Sequence, residues 1–177
     1  MKRIFYLIMV VGFLSSSSCV SEDAVEVVNI QGKYSLSVPS FLTKVNNLNE
    51  DASLQYQHAW KELYVIVIDE AKSEIGTALK TYDLEGIYSQ DLKGYTDLVL
   101  ENFSQHGRSN IQDIVINNLP AKTLTMEENI DGIDVYYAMA IVEGKENYYQ
   151  IMTWTLANKQ YQYQDKMNQI LRSFNEL

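Results

Sequence analysis

The sequence predicts an α+β fold in which one antiparallel β-sheet is sandwiched between helices. Three observations predict it: a run of β-branched residues, two segments with helical spacing, and four strand patterns that follow one another between them. Only two prolines and eight glycines interrupt the chain. About 150 residues follow an amino-terminal export region, which suits a single domain with an ordinary core.

The first 18 residues are typical of a secretory signal peptide. Lys2 and Arg3 give a positive start, residues 4–14 are uncharged and almost entirely apolar, and residues 15–18 are serines. Eleven helical residues span only about 17 Å, well short of the roughly 30 Å hydrocarbon core of a bilayer. We therefore interpret residues 1–18 as a cleaved signal peptide and not as a membrane-spanning helix.

Cys19 is the only cysteine and directly follows the serines. Small residues before a lone cysteine resemble the lipobox of bacterial lipoproteins, in which the thiol is acylated and becomes part of the first mature residue. Most lipoboxes carry Leu three residues earlier, where this chain has Ser16. We predict that Cys19 carries fatty-acyl chains such as palmitate. The alternative is a soluble exported protein that is cut near the serines.

Residues 19–29 are polar, acidic and without a hydrophobic pattern, and we interpret them as a lipidated tether before a domain at residues 30–177. Glu22 and Asp23 resemble the signal that sends Bacteroidota lipoproteins to the cell surface, although an ordinary solvated tether is the alternative. The predicted location is the outer membrane, facing the periplasm or the cell surface.

The charge of the chain limits its partners. Loss of residues 1–18 removes two positive charges and changes the formal net charge from −9 to −11. This excess of carboxylates repels nucleic acid and anionic lipid headgroups, so no nucleic-acid partner is predicted. Membrane attachment is expected through acyl chains on Cys19 and not through a basic patch.

Three strand patterns open the domain. Residues 32–39, "GKYSLSVP", alternate apolar and polar side chains up to a proline. Residues 53–60, "SLQYQHAW", alternate Leu54 and Tyr56 with glutamines, which indicates a strand with one solvent-facing side. Residues 63–68 are all apolar, which predicts a central strand covered on both faces.

Two segments show helical spacing. Between about Gly86 and His106 apolar residues recur every three or four positions, and Gly107 stands where a helix C-cap glycine belongs. Near the carboxyl terminus a second such segment follows Asn158, its expected N-cap. The two apolar stripes are Tyr88, Leu92, Tyr95, Leu98, Val99 and Phe103, and then Tyr163, Met167, Ile170, Leu171 and Phe174. Both helices are expected to face the core.

Four strand patterns lie between the helices: "NIQDIVIN", "AKTLTMEEN", "IDVYYAMAIVE" and "NYYQIMTWTL". Asp131 and Gly132 suit a type I′ hairpin turn, in which both central residues have positive φ, and "EGKEN" closes the next hairpin. The implied order is an antiparallel meander with one helix before it and one after. A layered α/β/α sandwich follows if the helices pack on opposite faces.

The order of these pieces resembles the PsbP-like family, named for the extrinsic protein of the photosynthetic oxygen-evolving complex. The resemblance covers roughly residues 30–175 and is carried by "GKYSLSVPSFL", "IVINNLPAKTLTM", "IDVYYAMAIVEGKENYYQIMTWTL" and "ILRSF". The family usually has glycine where this chain has Asn118, which also tolerates left-handed backbone angles. The resemblance implies a sheet sandwiched by helices, used by many relatives as an exported, often lipid-anchored, non-enzymatic binding module. The photosynthetic role does not transfer, because fold similarity does not settle function.

The sequence predicts no catalytic, cofactor or metal site. It has neither Gly-x-Ser-x-Gly nor a glycine-rich phosphate loop. Ser104 and His106 are two residues apart on the predicted helix and point to different sides. Neither His58 nor His106 has a partner at metal-ligand spacing, so we interpret them as a half-buried strand residue and a cation in a last helical turn.

Asn129, Asp131 and Asp134 place oxygen atoms close together around Gly132. Such a cluster raises the possibility of a calcium loop. An EF-hand loop needs more ligands and a distal Glu at fixed spacing, so we favour ordinary turn chemistry for these residues.

Thirteen tyrosines are the compositional excess of the chain. The pairs Tyr136–Tyr137 and Tyr148–Tyr149 place one ring on each face of a strand, so at least one of each pair is expected in the core. Strands favour tyrosine in any case. Tyrosine also suits half-wet binding surfaces, because its ring is apolar and its hydroxyl is polar.

Three functions remain. The favoured one is a lipid-anchored exported binding or assembly accessory protein without catalytic activity, whose partner is another envelope protein; it predicts an exposed aromatic patch without a deep polar pocket. A surface carbohydrate- or small-ligand-binding module would show coplanar exposed tyrosines, or Trp60 and Trp154, along a groove. A hydrolase would need a cleft that holds two carboxylates in opposed environments.

Overall fold

The structure is a computed structural model that describes residues 24–101, 103–104 and 107–177. The predicted signal peptide, Cys19 and His106 lie outside the described residues. Ten strands are β1 (Val25–Ile30), β2 (Tyr34–Pro39), β3 (Thr43–Lys44), β4 (Ala52–His58), β5 (Leu63–Ala71), β6 (Gln112–Ile116), β7 (Leu119–Ile130), β8 (Ile133–Glu143), β9 (Asn147–Leu156) and β10 (Asn175–Glu176). The helices are α1 (Lys72–Thr81), α2 (Leu92–Leu100) and α3 (Gln160–Arg172).

The strands form two antiparallel sheets. The large sheet has seven strands in the order β3-β4-β5-β9-β8-β7-β6, and the small one has three in the order β1-β2-β10. The predicted α+β class and the four-strand meander from β6 to β9 are confirmed. The predicted sheet did not include the small second sheet, which packs on the same side as α3.

Each face of the large sheet has its own core. One core joins the sheet to α3 and to β2, and its central members include Val65, Val67, Met167, Tyr34 and Phe174. The other joins the opposite face to α2 and includes Ile66, Met139, Ile141, Leu92 and Tyr95. Because β5 supplies side chains to both cores, the expectation of a central strand covered on both faces is confirmed, and so is the α/β/α layering.

The linker interpretation is wrong for the last residues of the segment 19–29. Val25–Ile30 is a strand that pairs antiparallel with β2, with Val25 opposite Pro39. Val25 and Val27 are 60% and 63% exposed, whereas Val28 and Ile30 of this edge strand pack partly buried against the α3-side core. The folded part of the chain therefore begins before residue 30.

The first helix is shorter than expected. α2 spans only Leu92–Leu100, because Asp91 caps it: the Asp91 carboxylate accepts a hydrogen bond from the Gly94 amide at 2.8 Å. Gly107 is not its C-cap, since Glu101 takes that position. Gly107 does have a φ of +77°. The helix α1, along which Gly76 and Leu79 are the buried residues, is not predicted from the sequence.

The last helix has the expected core stripe but a different start. Asn158 is not the N-cap; it lies in a 3₁₀ turn, and Lys159 precedes the helix without a side-chain capping hydrogen bond. Tyr163, Met167, Ile170 and Leu171 are buried, as predicted. Phe174 is also buried, but it follows the helix and stacks on Tyr34 with ring centroids 5.3 Å apart.

β4 has less solvent-facing surface than its glutamines suggest. Gln55 is only 6% exposed, although the pattern places it on the wet side. Its side-chain oxygen accepts a hydrogen bond from the Leu48 amide at 2.8 Å, and its amide group donates to the Asn49 carbonyl at 2.7 Å. The glutamine is buried because it fixes the loop between β3 and β4.

The hairpin turns behave as the sequence predicts. Asp131 and Gly132 have φ of 52° and 86°, as a type I′ turn requires, and Asn118 has φ of 69°. The Asn129 amide group donates to the Asp134 carboxylate at 2.6 Å and accepts from the Gly132 amide at 3.0 Å. The side-chain oxygens of Asn129 and Asp134 thus accept hydrogen bonds within this turn.

Tyrosines lie in both cores. Tyr136 and Tyr149 belong to the α3-side core and Tyr148 to the α2-side core, so the prediction for the two pairs is confirmed. Desolvation raises the pKa of eight tyrosines, in the case of Tyr149 to about 12. The eight are Tyr34, Tyr56, Tyr64, Tyr95, Tyr136, Tyr137, Tyr148 and Tyr149.

The buried tyrosines predict a loss of stability at alkaline pH. An unfolded tyrosine has a pKa of about 10, so above that pH the unfolded chain releases phenolic protons that the folded chain retains. The free energy of unfolding is therefore retained below about pH 10 and falls as the pH rises further. We expect Tyr149→Phe to make this fall shallower, measured by denaturant unfolding at a series of pH values. An unchanged pH dependence in the variant would contradict the assignment.

The packing at the start of α2 predicts that alanine substitutions at two glycines differ sharply in their effect on stability. A β-carbon at Gly94 would lie 1.9 Å from the Ser89 carbonyl oxygen, whereas one at Gly86 would meet no atom within 4 Å. We expect Gly94→Ala to destabilise the protein by about 1–3 kcal/mol or more, because the backbone at Ser89 must move. The matched control Gly86→Ala should be neutral or stabilising by up to about 1 kcal/mol. Equal denaturant midpoints for the two variants would refute this packing.

Candidate functional site

A cleft of about 560 Å³ lies on the α2 side of the large sheet. Its floor is formed by β5, β8 and β9, and its wall by α2 and the segment that follows it. Ile66, Ile68 and Met152 lie on the floor, and Leu98, Val99 and Phe103 lie on the wall. The cleft is therefore mostly apolar, as ligand-binding pockets usually are.

The cleft exists because α2 is too short to cover the sheet. Nine helical residues extend about 14 Å, whereas strands of nine to eleven residues extend roughly 30–36 Å. One end of this sheet face is buried under Leu92 and Tyr95, and the rest is left open. Apolar side chains that would otherwise be core thus line a groove.

The covered end of the cleft carries a polar network of three side chains. The Tyr95 hydroxyl donates a hydrogen bond to the Glu70 carboxylate. The Gln150 amide group donates to the Glu70 carboxylate and to the Tyr95 hydroxyl oxygen, both at 2.8 Å. Burial, and then the hydrogen bond to Glu70, raise the pKa of Tyr95, so its hydroxyl stays protonated as a donor. The ring of Tyr95 also stacks on Tyr148 at 4.2 Å.

A second carboxylate, that of Glu101, also lines the cleft. It accepts a hydrogen bond from the Tyr88 hydroxyl. Glu70 is half-buried within the network with Tyr95 and Gln150, whereas Glu101 is exposed. The two carboxylates therefore have different surroundings.

A row of three aromatic rings crosses the open end of the cleft. Tyr64, Trp154 and Tyr137 lie directly opposite one another on β5, β9 and β8. The rings of Tyr64 and Trp154 are stacked at 5.1 Å and nearly parallel, and those of Trp154 and Tyr137 are 6.0 Å apart. The Tyr64 hydroxyl donates to the Glu62 carboxylate at 2.7 Å. Burial, and then this hydrogen bond, raise the pKa of Tyr64 to about 12.

The cleft continues beyond this row into a cavity of about 210 Å³. The two cavities share Tyr137 and Trp154, and the smaller one reaches Ile130 and Ile133, which are 47% and 54% exposed. We call the continuous depression the sheet groove. It runs from Glu70 at the α2 end to Ile133 at the hairpin between β7 and β8.

The sheet groove is acidic. The described residues that line it include three acidic side chains, Glu62, Glu70 and Glu101, and no lysine, arginine or histidine. Such a surface favours a partner that combines an apolar body with a positively charged or hydrogen-bond-donating group.

Only some of the residues that the sequence suggested as functional lie in the sheet groove. Trp154 lies in the sheet groove, but Trp60 is 93% exposed at the turn between β4 and β5 and lies outside it. His58 is half-buried at the end of β4, as interpreted, and its ring packs on Phe41 at 5.8 Å. Ser104 is not helical, and its amide donates to the Glu128 carboxylate.

Glu70, Tyr95 and Gln150 are not predicted from the sequence to form a group. Glu70 shares the two-residue period of Ile66 and Ile68, so its position on the groove face is readable from the strand. Its contacts with Tyr95 and Gln150 are not readable, because they join residues 25 and 80 positions away.

Two further properties concern the described part of the chain only. Its helices are all too short or too polar to span a bilayer. It also contains no cluster of three or more His, Cys, Asp or Glu residues placed to hold a metal ion.

No family model matches the sequence, and no curated protein matches it. Solved structures do match the fold. LpqN of Mycobacterium tuberculosis, involved in cell envelope biogenesis, is 11% identical, with a TM-score of 0.54 over 89% of this chain and 94% of LpqN.

Two further matches are a cyanobacterial and a yeast protein. Cyanobacterial PsbP (CyanoP) from Synechocystis sp. PCC 6803 is 11% identical, with a TM-score of 0.50 over 94% of this chain and 100% of CyanoP. The Ran-binding protein Mog1p of Saccharomyces cerevisiae is 13% identical, with a TM-score of 0.50 over 86% of this chain and 95% of Mog1p. Identities this low show the fold alone. The chain therefore has the PsbP-like fold that the sequence predicts.

Proposed function

We propose that this chain is an exported, lipid-anchored member of the PsbP-like family that acts as a binding or assembly accessory in the bacterial outer membrane, without catalytic activity. The observation that carries the proposal is the sheet groove, which offers an apolar floor, three aromatic rings and a hydrogen-bonded carboxylate in one open depression. The signal-like residues before Cys19 and the shared fold of the envelope protein LpqN support the location.

The partner is a segment of another envelope protein. The groove is open along its length and not enclosed, which suits an extended segment better than a small molecule held inside a cavity. Its three carboxylates, Glu62, Glu70 and Glu101, favour a segment in which a basic residue is flanked by apolar ones.

Carbohydrate binding is the weaker alternative. Sugars stack on exposed ring faces, but Tyr64 and Trp154 cover one face of each other, and Trp60 lies outside the groove. The aromatic row therefore offers edges and outer faces to a partner, which suits apolar side chains.

The groove assignment is tested by site-specific photo-crosslinking in cells that make the full chain. A photoreactive amino acid replaces Val99 on the groove wall, and Tyr82, which is 72% exposed on the end of α1, serves as the control position. We expect a discrete protein adduct from position 99 only. The adduct should decrease about tenfold or more when Glu70→Gln removes the charge that meets the basic residue.

Three outcomes would count against a protein partner in the groove. These are equal adducts at positions 99 and 82, no adduct at position 99, or an adduct whose mass is that of a sugar or lipid. The last outcome would instead favour the small-ligand alternative. Retention of the thermal melting temperature in the Glu70→Gln variant shows that lost crosslinking is not lost folding.

The anchor is tested by metabolic labelling with an alkyne fatty acid. We expect the wild-type chain to be labelled and to fractionate with the outer membrane, and Cys19→Ala to be unlabelled, because the chain has no other thiol. Equal labelling of the two proteins would refute acylation at Cys19.

A further inference from the structure

A cluster of aromatic and basic side chains surrounds Phe41 at one end of the domain. The Lys61 and Lys166 ammonium groups lie 5.2 Å and 5.7 Å from the centroid of the Phe41 ring. The Lys159 ammonium group donates to the Lys61 carbonyl at 3.3 Å. We call this surface the Phe41 patch, and it consists of Phe41, His58, Trp60, Lys61, Lys159 and Lys166.

The Phe41 patch is assembled from distant parts of the chain. Phe41 follows β2, and His58 ends β4. Trp60 and Lys61 lie in the turn between β4 and β5, Lys159 directly precedes α3, and Lys166 lies in the middle of α3. The three lysines are half-buried, because their hydrocarbon stems lie along this surface. Three of the chain's lysines thus meet at one place, so this surface departs from the repulsion of anionic headgroups that the formal net charge of −9 alone predicts.

Trp60 is the most exposed large hydrophobic residue of the described chain, at 93%. A tryptophan at the tip of a turn, beside lysines, has the side-chain chemistry of a bilayer interface. The amphipathic ring sits at the headgroup level, while the ammonium groups reach the phosphates. In a domain surrounded only by water, burial of this large apolar ring would be favourable in free energy.

The point where the chain enters the fold lies beside this patch. The Ser40 amide donates to the Ala24 carbonyl at 2.8 Å, and Phe41 is the next residue. Cys19 precedes Ala24 by five residues, which extend at most about 18 Å. Acyl chains on Cys19 would therefore hold the Phe41 patch close to the bilayer surface.

The opposite end of the domain is far from the membrane in this arrangement. β5 runs from Leu63, next to the patch, to Ala71, which lies opposite Asn147 at the start of β9. Nine strand residues extend about 30 Å. Lys145, in the turn between β8 and β9, is thus an exposed lysine at the far end and a natural control.

We propose that the Phe41 patch is a second membrane contact, in which Trp60 enters the headgroup region and Lys61, Lys159 and Lys166 meet anionic lipid phosphates. The orientation that it gives the domain rests on the proposed lipid anchor, but the patch itself belongs to the fold. A basic surface would add electrostatic attraction to anionic lipids to the hydrophobic attachment by the acyl chains.

The first experiment uses the full acylated protein, purified from membranes and reconstituted into vesicles. Trp154→Phe leaves Trp60 as the only tryptophan, since the chain has two. We expect its emission to shift to shorter wavelength and to be quenched by brominated phosphatidylcholine. The quenching should strengthen when phosphatidylglycerol is included. Emission that stays unshifted and unquenched in anchored protein would overturn the proposal.

The second experiment removes the anchor. A chain that begins at residue 20 retains all described strands and helices, which lie between Val25 and Glu176. We expect it to co-sediment with phosphatidylglycerol vesicles and to release them as salt is raised. Lys61→Glu should weaken the binding about fivefold or more, and Trp60→Ala should weaken it further.

Lys145→Glu changes the net charge by the same amount as Lys61→Glu at the other end of the domain, and it should leave vesicle binding unchanged. An equal loss with both variants would overturn the proposal, because net charge and not the patch would then govern binding. Melting temperatures of all variants separate loss of binding from loss of fold.

The two proposals fail in different ways. If the residue-20 chain binds vesicles but Cys19 is not labelled, the proposed anchor is refuted and the proposed patch is supported. If Cys19 is labelled but the residue-20 chain does not bind vesicles, the proposed patch is refuted and the proposed anchor is supported. Capture of a protein by the patch in place of vesicles would also overturn the membrane assignment.

Discussion

The large sheet is apolar on both faces, and the helices of the described residues leave part of one face uncovered. α3 and the small sheet bury one face, but α2 has only nine residues and lies over strands of nine to eleven residues. The uncovered remainder is lined by Met152, Trp154 and Tyr137 and forms the sheet groove. The candidate site thus follows directly from a mismatch in length between a helix and the strands beneath it.

Tyrosine is the residue that makes such a half-covered face stable. Tyr95 buries its ring against Tyr148 and hydrogen-bonds Glu70, while Tyr64 stacks on Trp154 and hydrogen-bonds Glu62. In both cases an apolar ring joins the core and a hydroxyl satisfies a carboxylate at the rim. The tyrosine excess in the sequence is therefore divided between core packing and the groove, and neither explanation suffices alone.

The two ends of the domain differ in character. One end carries Ala24, where the described chain begins, together with the Phe41 patch and the Glu62 side of the sheet groove. The other end carries the β8–β9 turn. With the patch on a bilayer, the mouth of the groove near Glu62 would open close to the membrane surface. Binding of a membrane-embedded or membrane-adjacent protein segment is consistent with that geometry.

The sequence by itself determined the elements whose signal is periodic: the strands β2 and β4 to β9, the meander, the Asp131–Gly132 turn and the buried stripe of α3. It did not reveal β1 or α1, because few of their side chains are fully buried, or β3 and β10, because two residues are too short to show a period. It made α2 too long, because Asp91 caps the helix inside an apolar repeat. The Glu70–Tyr95–Gln150 network and the meeting of three lysines around Phe41 were decided only by the tertiary structure. Local patterns encode which face of an element is buried, whereas contacts between residues many positions apart exist only once the sheet has brought them together.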